Sequence, residues 1–132
     1  MQRVLFHHQA SPGLRAELEA LAARGLEVVV VPVADRTGLA ATLPTTEVLW
    51  HVLEPVTAAM LEAAPRLRLV QKIGVGVNTI DLEACRARGI AVCNMPGTNS
   101  RAVAELALAL MLAVLRRIAW LDRETRAGRG WA

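Results

Sequence analysis

The sequence predicts an α/β fold in which helices cover a parallel β-sheet. Two observations lead to this prediction: short apolar runs alternate with longer helical stretches, and one run is β-branched almost throughout. That run, LEVVVV at residues 26–31, is typical of a strand buried on both faces, as in parallel sheets. Strands that alternate with helices imply right-handed crossovers and a doubly wound sheet.

Five apolar runs have the length and composition of strands. The predicted strands are residues 4–6, 26–31, 47–52, 67–73 and 90–93. We therefore expect a flavodoxin-like, doubly wound, parallel five-stranded sheet of the α/β class, followed by a long C-terminal helix. Ligands of such sheets bind at the carboxyl ends of the strands, so the loops that follow the strands are the candidate sites.

Residues that favour helix ends mark the helices between these strands. Ser11 and Pro12 form an N-cap and first-turn pair, and Gly25 suits the end of the helix that they begin. Thr57 and Asp81 are the predicted N-caps of two further helices. The stretch 33–44 is less regular and is expected to hold a short helix within loops.

The C-terminal part is predicted to be one continuous helix from about residue 100 to about residue 125, ended by the Gly-Arg-Gly stretch at 128–130. Its apolar residues leave little polar surface, so we expect the helix to have partners around most of its circumference. They include Ala102, Leu106, Leu108, Leu110, Met111, Leu112 and Leu115.

Composition bounds the classes of function. The chain has 132 residues, 54% of them apolar, and a net charge of +3, which fits one globular domain. Arginines are scattered among glutamates with no basic run beside aromatic residues, so we expect no nucleic-acid partner. No apolar run reaches the roughly 20 residues that span a bilayer. Cys85 and Cys93 have no metal-binding spacing and are expected to be buried, reduced thiols of a cytoplasmic protein.

The loop after the first strand, HHQASPG, excludes several ligand classes of this fold. It has neither a Ser/Thr-rich phosphate cradle nor paired acids, and it has no Gly-x-Gly-x-x-Gly for a dinucleotide. We therefore interpret His7 and His8 as strand-end or surface residues rather than ligands. No metal site is expected.

The loop after the fourth strand, KIGVGVNTID at residues 72–81, has the features of an anion site. Gly74 and Gly76 permit successive N–H groups to turn outward and form a nest for a carboxylate or phosphate oxygen. Lys72, the only lysine in the chain, would add positive potential if it points toward this loop. The alternative is an ordinary glycine turn with Lys72 on the surface, and the spacing does not decide between them.

The loop after the fifth strand, residues 94–100, leads into the long helix. Pro96 and Gly97 shape its turn. The Asn99 amide could donate to an acid or a carbonyl, or it could cap the helix, since Asn is a preferred N-cap. The local sequence leaves both alternatives open.

Three segments together resemble the D-2-hydroxyacid dehydrogenase family, which includes phosphoglycerate, glyoxylate and formate dehydrogenases. They are GVGVNTID at 74–81, GIAVCN at 89–94 and PGTNSRAVAE at 96–105, followed by LALALML and the pair Arg116-Arg117. The resemblance is densest over residues 66–118 and is loose before residue 66. Thr79 is a departure, because Asn78-Thr79 stands where many members have Asp-Asn; we expect little effect on anion binding by the backbone.

The resemblance implies roles for several residues. Backbone N–H groups of Val75 and Gly76 would bind the substrate carboxylate. Asn99 would contact the substrate, and Val103 would pack near the nicotinamide of NAD or NADP. His51 lies where members often carry a polar residue that contacts the substrate. Lys72 completes the predicted substrate site.

The resemblance also implies what would lie beyond this sequence. Residues 1–99 would be the substrate-binding domain, 100–127 a long interdomain helix that also forms a homodimer, and 128–132 the start of a linker to a dinucleotide-binding domain. The catalytic His, Glu and Arg of the family would follow that linker, so no catalytic residue is expected in this chain. The intact enzyme would oxidise or reduce a small D-2-hydroxy or 2-oxo acid with NAD or NADP.

Two other hypotheses remain open. The chain on its own would be a truncated, catalytically silent module that binds acids or mediates assembly. Alternatively, it would be a stand-alone flavodoxin-like regulator without an acid ligand. The identity of the acid and the choice between NAD and NADP are not predicted by this sequence.

Overall fold

The computed structural model describes residues 1–130 and shows a five-stranded, wholly parallel sheet in the order β2-β1-β3-β4-β5. This confirms the predicted α/β class and the number of strands. The strands are β1 (Gln2–Phe6), β2 (Leu26–Val30), β3 (Val48–His51), β4 (Leu69–Lys72) and β5 (Ala91–Cys93). The helices are α1 (Pro12–Ala20), α2 (Arg36–Thr42), α3 (Ala58–Glu62), α4 (Leu82–Ala87), α5 (Ser100–Leu115) and α6 (Ile118–Arg126).

One row of apolar side chains across the sheet forms the centre of the core. The strand register aligns Val29, Leu5, Leu49, Val70 and Val92, one residue from each strand. The three from the central strands are almost fully buried, and the two from the edge strands pack against them. Because side chains alternate between the two faces of a strand, this row lies on one face, where residues from α2, α3 and α4 cover it.

The predicted capping residues begin three of the helices. The side chains of Ser11, Thr57 and Asp81 accept hydrogen bonds from backbone N–H groups three residues later and start α1, α3 and α4. Asp35 does the same for α2, the short helix expected in the irregular stretch. Each cap satisfies an N–H that has no partner within its helix, so the loops that follow the strands end at defined points.

The C-terminal helix is shorter than predicted. It ends at Leu115, and α6 begins only at Ile118, because Arg117 adopts a left-handed backbone conformation with φ 53° that interrupts the helical hydrogen bonds. The Arg117 guanidinium lies 4.9 Å from the centre of the Trp120 ring. This cation–π contact, worth about 0.5–1 kcal/mol, offsets part of the roughly 1–2 kcal/mol cost of a left-handed non-glycine residue.

The two cysteines differ from each other in burial. Cys85 lies in the core, as predicted, and burial raises the pKa of its thiol. Cys93 is exposed, so the prediction that it is buried is wrong: residues 91 and 93 of β5 face the side of the sheet opposite the core row, where they are exposed. Both thiols are free.

The chain divides into two compact units, the first comprising Met1–Pro96 and the second beginning at Gly97. The predicted linker at 128–132 lies only partly within the described residues: α6 ends at Arg126, Gly128 follows in a left-handed turn, and positions 131 and 132 lie outside them. Among the helices of residues 1–130, none is both long and apolar enough to cross a bilayer.

Gly25, which precedes β2, and Gly13, which lies in α1, allow a matched test of the left-handed backbone conformation at Gly25. Gly25 has φ 82°, whereas Gly13 lies inside α1, and a Cβ at either position would meet nothing within 4 Å. Gly25→Ala should therefore lower the free energy of unfolding by about 1–2 kcal/mol. Gly13→Ala should raise it, by up to about 1 kcal/mol. Urea denaturation measures both, and a similar loss in the two variants would contradict the assigned conformation.

Candidate functional site

Residues 73–79, in the segment between β4 and α4, form a loop that leaves the sheet directly after the last hydrogen bond between β3 and β4. That bond runs from Ile73 N–H to the His51 carbonyl, 2.8 Å. Gly74 follows with φ 149°, a conformation that side chains rarely adopt, and a Cβ there would lie 3.3 Å from Cε of Lys72. A residue with a side chain would thus be strained at this position. Of the two predicted glycines, Gly74 is the one that the backbone conformation requires.

The backbone amides of Val75 and Gly76 have no partner within the described part of the chain. Neither N–H donates a hydrogen bond to any other residue within 1–130, and both residues are exposed, Val75 by 43%. Exposed amides that the fold itself does not use are the donors from which backbone anion sites are built. A Cβ on Gly76 would lie 3.1 Å from Oδ1 of Asn78, so the loop is also narrow on that side.

Two hydrogen bonds from the segment after β5 hold this glycine loop in place. Asn94 donates from Nδ2 to the Val75 carbonyl at 2.8 Å, and Met95 donates from its backbone N–H to the Gly74 carbonyl at 2.9 Å. Both bonds use carbonyls of the loop and leave its N–H groups free. Sequence reasoning did not single out Asn94 for this role, although its position immediately after β5, the neighbour of β4, was the available signal.

His51 and Lys72 are register partners at the ends of β3 and β4, and both are buried, with exposed fractions of 3% and 8%. His51 donates from Nε2 to the Glu54 carbonyl at 2.7 Å, and Lys72 donates from Nζ to the Val52 carbonyl. The two side chains therefore fix the loop after β3. The alternative that Lys72 lies on the surface is wrong, because the side chain is buried next to Gly74 and its ammonium group donates to the Val52 carbonyl.

Burial lowers the pKa of His51 below its ordinary value of 6.5. The largest cause is desolvation; the charges of Lys72 and His7 act in the same direction, and the Glu54 carbonyl opposes them. Nδ1 of His51 is buried and has no hydrogen-bond partner among residues 1–130, while Thr79 Oγ1 lies 3.3 Å from Nε2. The neutral ring with its proton on Nε2 suits these contacts, since Nε2 must donate to the Glu54 carbonyl.

The remaining predicted site residues belong to the second unit. Asn99 occupies the N-cap position of α5, but its side chain makes no capping hydrogen bond; its carbonyl accepts from Val103 N–H at 2.9 Å. Val103 is exposed in the first turn of α5. Glu105 pairs with Arg101 at 2.7 Å along the same helix. The structure thus brings together Lys72, His51 and the glycine loop within the first unit.

Comparison with known proteins identifies the family of this chain. A family model described as "D-isomer specific 2-hydroxyacid dehydrogenase, catalytic domain" matches residues 4–129. The chain belongs to this family. It is 43% identical over 103 residues to D-3-phosphoglycerate dehydrogenase of Mycobacterium leprae, covering 77% of the chain and 20% of that protein. The corresponding enzyme of Archaeoglobus fulgidus is 36% identical over 121 residues, covering 91% of the chain and 23% of the relative.

A solved structure supports the same assignment. The NAD-dependent formate dehydrogenase of Staphylococcus aureus, in complex with NAD, matches with a TM-score of 0.80 and 26% identity, covering all of this chain and 43% of that one. The family resemblance inferred from the three sequence segments is therefore confirmed. The chain spans about a fifth of the length of the two curated phosphoglycerate dehydrogenases.

The loops after β1 and β4 lack the glycine arrangement of a dinucleotide-binding loop. The loop after β1 has no glycine before helix α1, and of the glycines after β4 neither stands at the beginning of a helix, where a pyrophosphate would bind. Within residues 1–130 no group of three or more His, Cys, Asp or Glu side chains is placed to hold a metal ion. What the glycine loop offers chemically is hydrogen bonding to a small anion.

The buried His51 predicts how stability depends on pH. Its folded pKa lies below 6.5, so just below pH 6.5 the unfolded chain binds more protons than the folded chain. The free energy of unfolding should therefore fall as the pH drops from 6.5 through the lowered pKa, and the contribution of His51 should be constant above pH 6.5.

Urea midpoints measured across this pH range test the expectation. His51→Gln should flatten the pH dependence, even if it lowers stability at every pH. The control is His8→Gln, a change at a half-buried residue outside this cluster, which should leave the dependence as it is. An equally steep dependence in His51→Gln would show that another group causes it.

Proposed function

We propose that this chain is the substrate-binding part of an NAD(P)-dependent dehydrogenase that acts on a small D-2-hydroxy or 2-oxo acid. The observation that supports this most is the pair of unpartnered amides at the exposed residues Val75 and Gly76, in a loop where the Gly74 and Val75 carbonyls are already bonded. A carboxylate needs donors of this kind, and bonds from backbone N–H groups to a charged oxygen are stronger than those between neutral groups.

Other residues of the predicted site take supporting roles in this proposal. The Lys72 stem lies next to Gly74, and its positive charge, held at the Val52 carbonyl, is proposed to favour an anion at the loop. His51 keeps the loop after β3 in position through the Glu54 carbonyl and is proposed to act through that loop rather than by touching the acid, because its ring is buried. Asn99, whose side chain is not used as a helix cap, is proposed as a further donor to the acid.

Hydride transfer at the C2 carbon is the chemistry that a nicotinamide supplies when it is bound. We propose that a dinucleotide-binding domain outside this sequence holds it, with Val103 in contact, and that the chain positions the acid. Residues 1–99 would then form the substrate domain and the segment 100–127 the connection between domains. The alternative is a module without activity of its own, which would bind acids through the same loop or mediate assembly through α5.

Titration of the chain with glyoxylate tests the anion site. The amide NMR signals of Val75 and Gly76 should shift, whereas a regulator without an acid ligand would show no change in residues 74–78. In the complete enzyme, Gly76→Ala should raise KM by at least about tenfold, because the proposed anion lies against the Gly76 amide and an added methyl group there would leave it less space.

A double variant separates two causes of that effect. The Cβ at position 76 would also crowd Asn78 Oδ1, and Gly76→Ala combined with Asn78→Ala removes this contact. Binding should remain weak in the double variant. Recovery of the original KM would mean that crowding within the loop, rather than loss of the anion position, was responsible, and the proposal would fail.

We also propose that α5 joins two copies of the chain. Six of its large apolar side chains, at positions spread around the helix, are between 54% and 76% exposed. They are Leu106, Leu108, Leu110, Met111, Leu112 and Leu115. An apolar surface of this extent on one helix is typical of a protein–protein contact, and a homodimer buries it symmetrically.

Light scattering over a concentration series measures this association. The chain should form a dimer, and Leu108→Glu should shift it toward the monomer by placing a charge in the interface. The matched control is Leu53→Glu, which introduces the same charge at an apolar residue that is 64% exposed in the first unit. A monomer at high concentration for the unsubstituted chain would rule out the proposed dimer.

A further inference from the structure

A second cleft lies at the carboxyl edge of the sheet, at a different place from the glycine loop. It has a volume of about 390 Å³ and is lined by residues that follow three strands: His7 after β1, Val33 after β2 and Glu54 after β3. None of the lining residues belongs to the loop 73–79. Ligand pockets for small molecules begin at about 300 Å³, so the cleft is large enough for one.

The topology of the sheet favours a ligand at this position. In the order β2-β1-β3, the chain leaves β1 toward one edge and later returns past it to β3 on the other side. The loops after β1 and β3 therefore diverge and leave a crevice between them. Such a switch point is where doubly wound sheets bind ligands most often.

His7 supplies a polar group on the cleft wall. It is only 7% exposed, and its Nδ1 lies 3.1 Å from the Val31 carbonyl. Because a carbonyl can only accept, Nδ1 carries the proton and the neutral ring has its lone pair on Nε2. Nε2 has no hydrogen-bond partner among residues 1–130. A ring nitrogen that has no partner in the protein is suited to accept a hydrogen bond from a ligand.

Two side chains of opposite charge also line the cleft. Arg36 stands at the first position of α2, and Glu54 stands in the loop after β3. The side chain of neither residue forms a hydrogen bond or ion pair with another residue in the described part of the chain. A guanidinium group is suited to a carboxylate, and a carboxylate is suited to an ammonium group.

The rest of the lining is mainly apolar. It comes from Val33, from Leu39 of α2 and Met60 of α3, and from Leu43 and Ala63, which directly follow these two helices. Leu39 and Met60 also pack against the core, so this part of the cleft is an extension of the core rather than a polar surface. A ligand that fills the cleft should thus combine two opposite charges with an apolar group.

We propose that this cleft binds an α-amino acid with an apolar side chain. Arg36 would bind its carboxylate, Glu54 and Nε2 of His7 would accept from its ammonium group, and Leu39 and Met60 would surround its side chain. A ligand with a carboxylate but no ammonium group would pair with Arg36 and leave Glu54 unpaired. A ligand with an ammonium group but no carboxylate would pair with Glu54 and leave Arg36 unpaired. The ligand is therefore different in class from the 2-hydroxy acid proposed for the glycine loop.

Titration of the chain with L-leucine into the millimolar range tests this inference. The NMR signals of the Met60 methyl group, the His7 ring and the Arg36 side chain should shift, while those of Val75 and Gly76 should not. Isocaproate lacks the ammonium group and L-leucinamide lacks the carboxylate, so each should bind at least about tenfold more weakly than L-leucine.

Variants assign the two charges. Arg36→Gln and Glu54→Gln should each weaken L-leucine binding by about tenfold or more, whereas Arg15→Gln, at an exposed position of α1, should not change it. Isocaproate that binds as tightly as L-leucine, or an absence of shifts with L-leucine, would overturn the inference. Shifts at Val75 and Gly76 with glyoxylate are measured separately, so the two proposals can fail independently.

Discussion

The parallel register of the sheet is the constraint on which the candidate sites depend. Parallel strands in register end at the same edge of the sheet. The loops after β3, β4 and β5 therefore begin side by side, and no contact between the loops is needed to bring them together. The last hydrogen bond between β3 and β4, from Ile73 to the His51 carbonyl, defines where β4 stops being sheet. The unpartnered amides of Val75 and Gly76 come directly after that point in the chain. The core row that includes Leu49 and Val70 fixes this register, because a slip by one residue would turn both side chains away from the core.

Much of the fold could be predicted from local sequence, because the signals are short-range. A capping side chain such as Ser11 or Asp81 acts on an N–H three residues away, and a β-branched run such as 26–31 defines a strand by itself. The interruption after α5 had no such signal. Arg117 is neither glycine nor proline, and its left-handed conformation accompanies a contact with Trp120. Conformations that side-chain contacts support cannot be inferred from residue preferences alone.

The site was predictable in part, and for two different reasons. The glycine pattern at 74–76 predicted a backbone turn, and the structure places free amides there. The family resemblance added the substrate class, which no spacing could supply. The role of Lys72 could not be predicted, since it depends on a carbonyl of another loop, and for Asn94 only its position after β5 gave a signal. Burial of Lys72 follows from its pairing with His51 in the sheet, a long-range fact.

The pair of hydrogen bonds that Asn94 and Met95 make to the glycine loop has a consequence for motion. The stretch carrying Asn94 and Met95 is also the stretch through which the backbone passes on its way out of the sheet. An anion bound to the amides would therefore restrict the motion of the segment that carries Asn94 and Met95. A restraint on that segment would in turn strengthen anion binding by the same free energy. This coupling requires no movement of the strands. It requires only the hydrogen bonds that join the segment after β5 to the glycine loop.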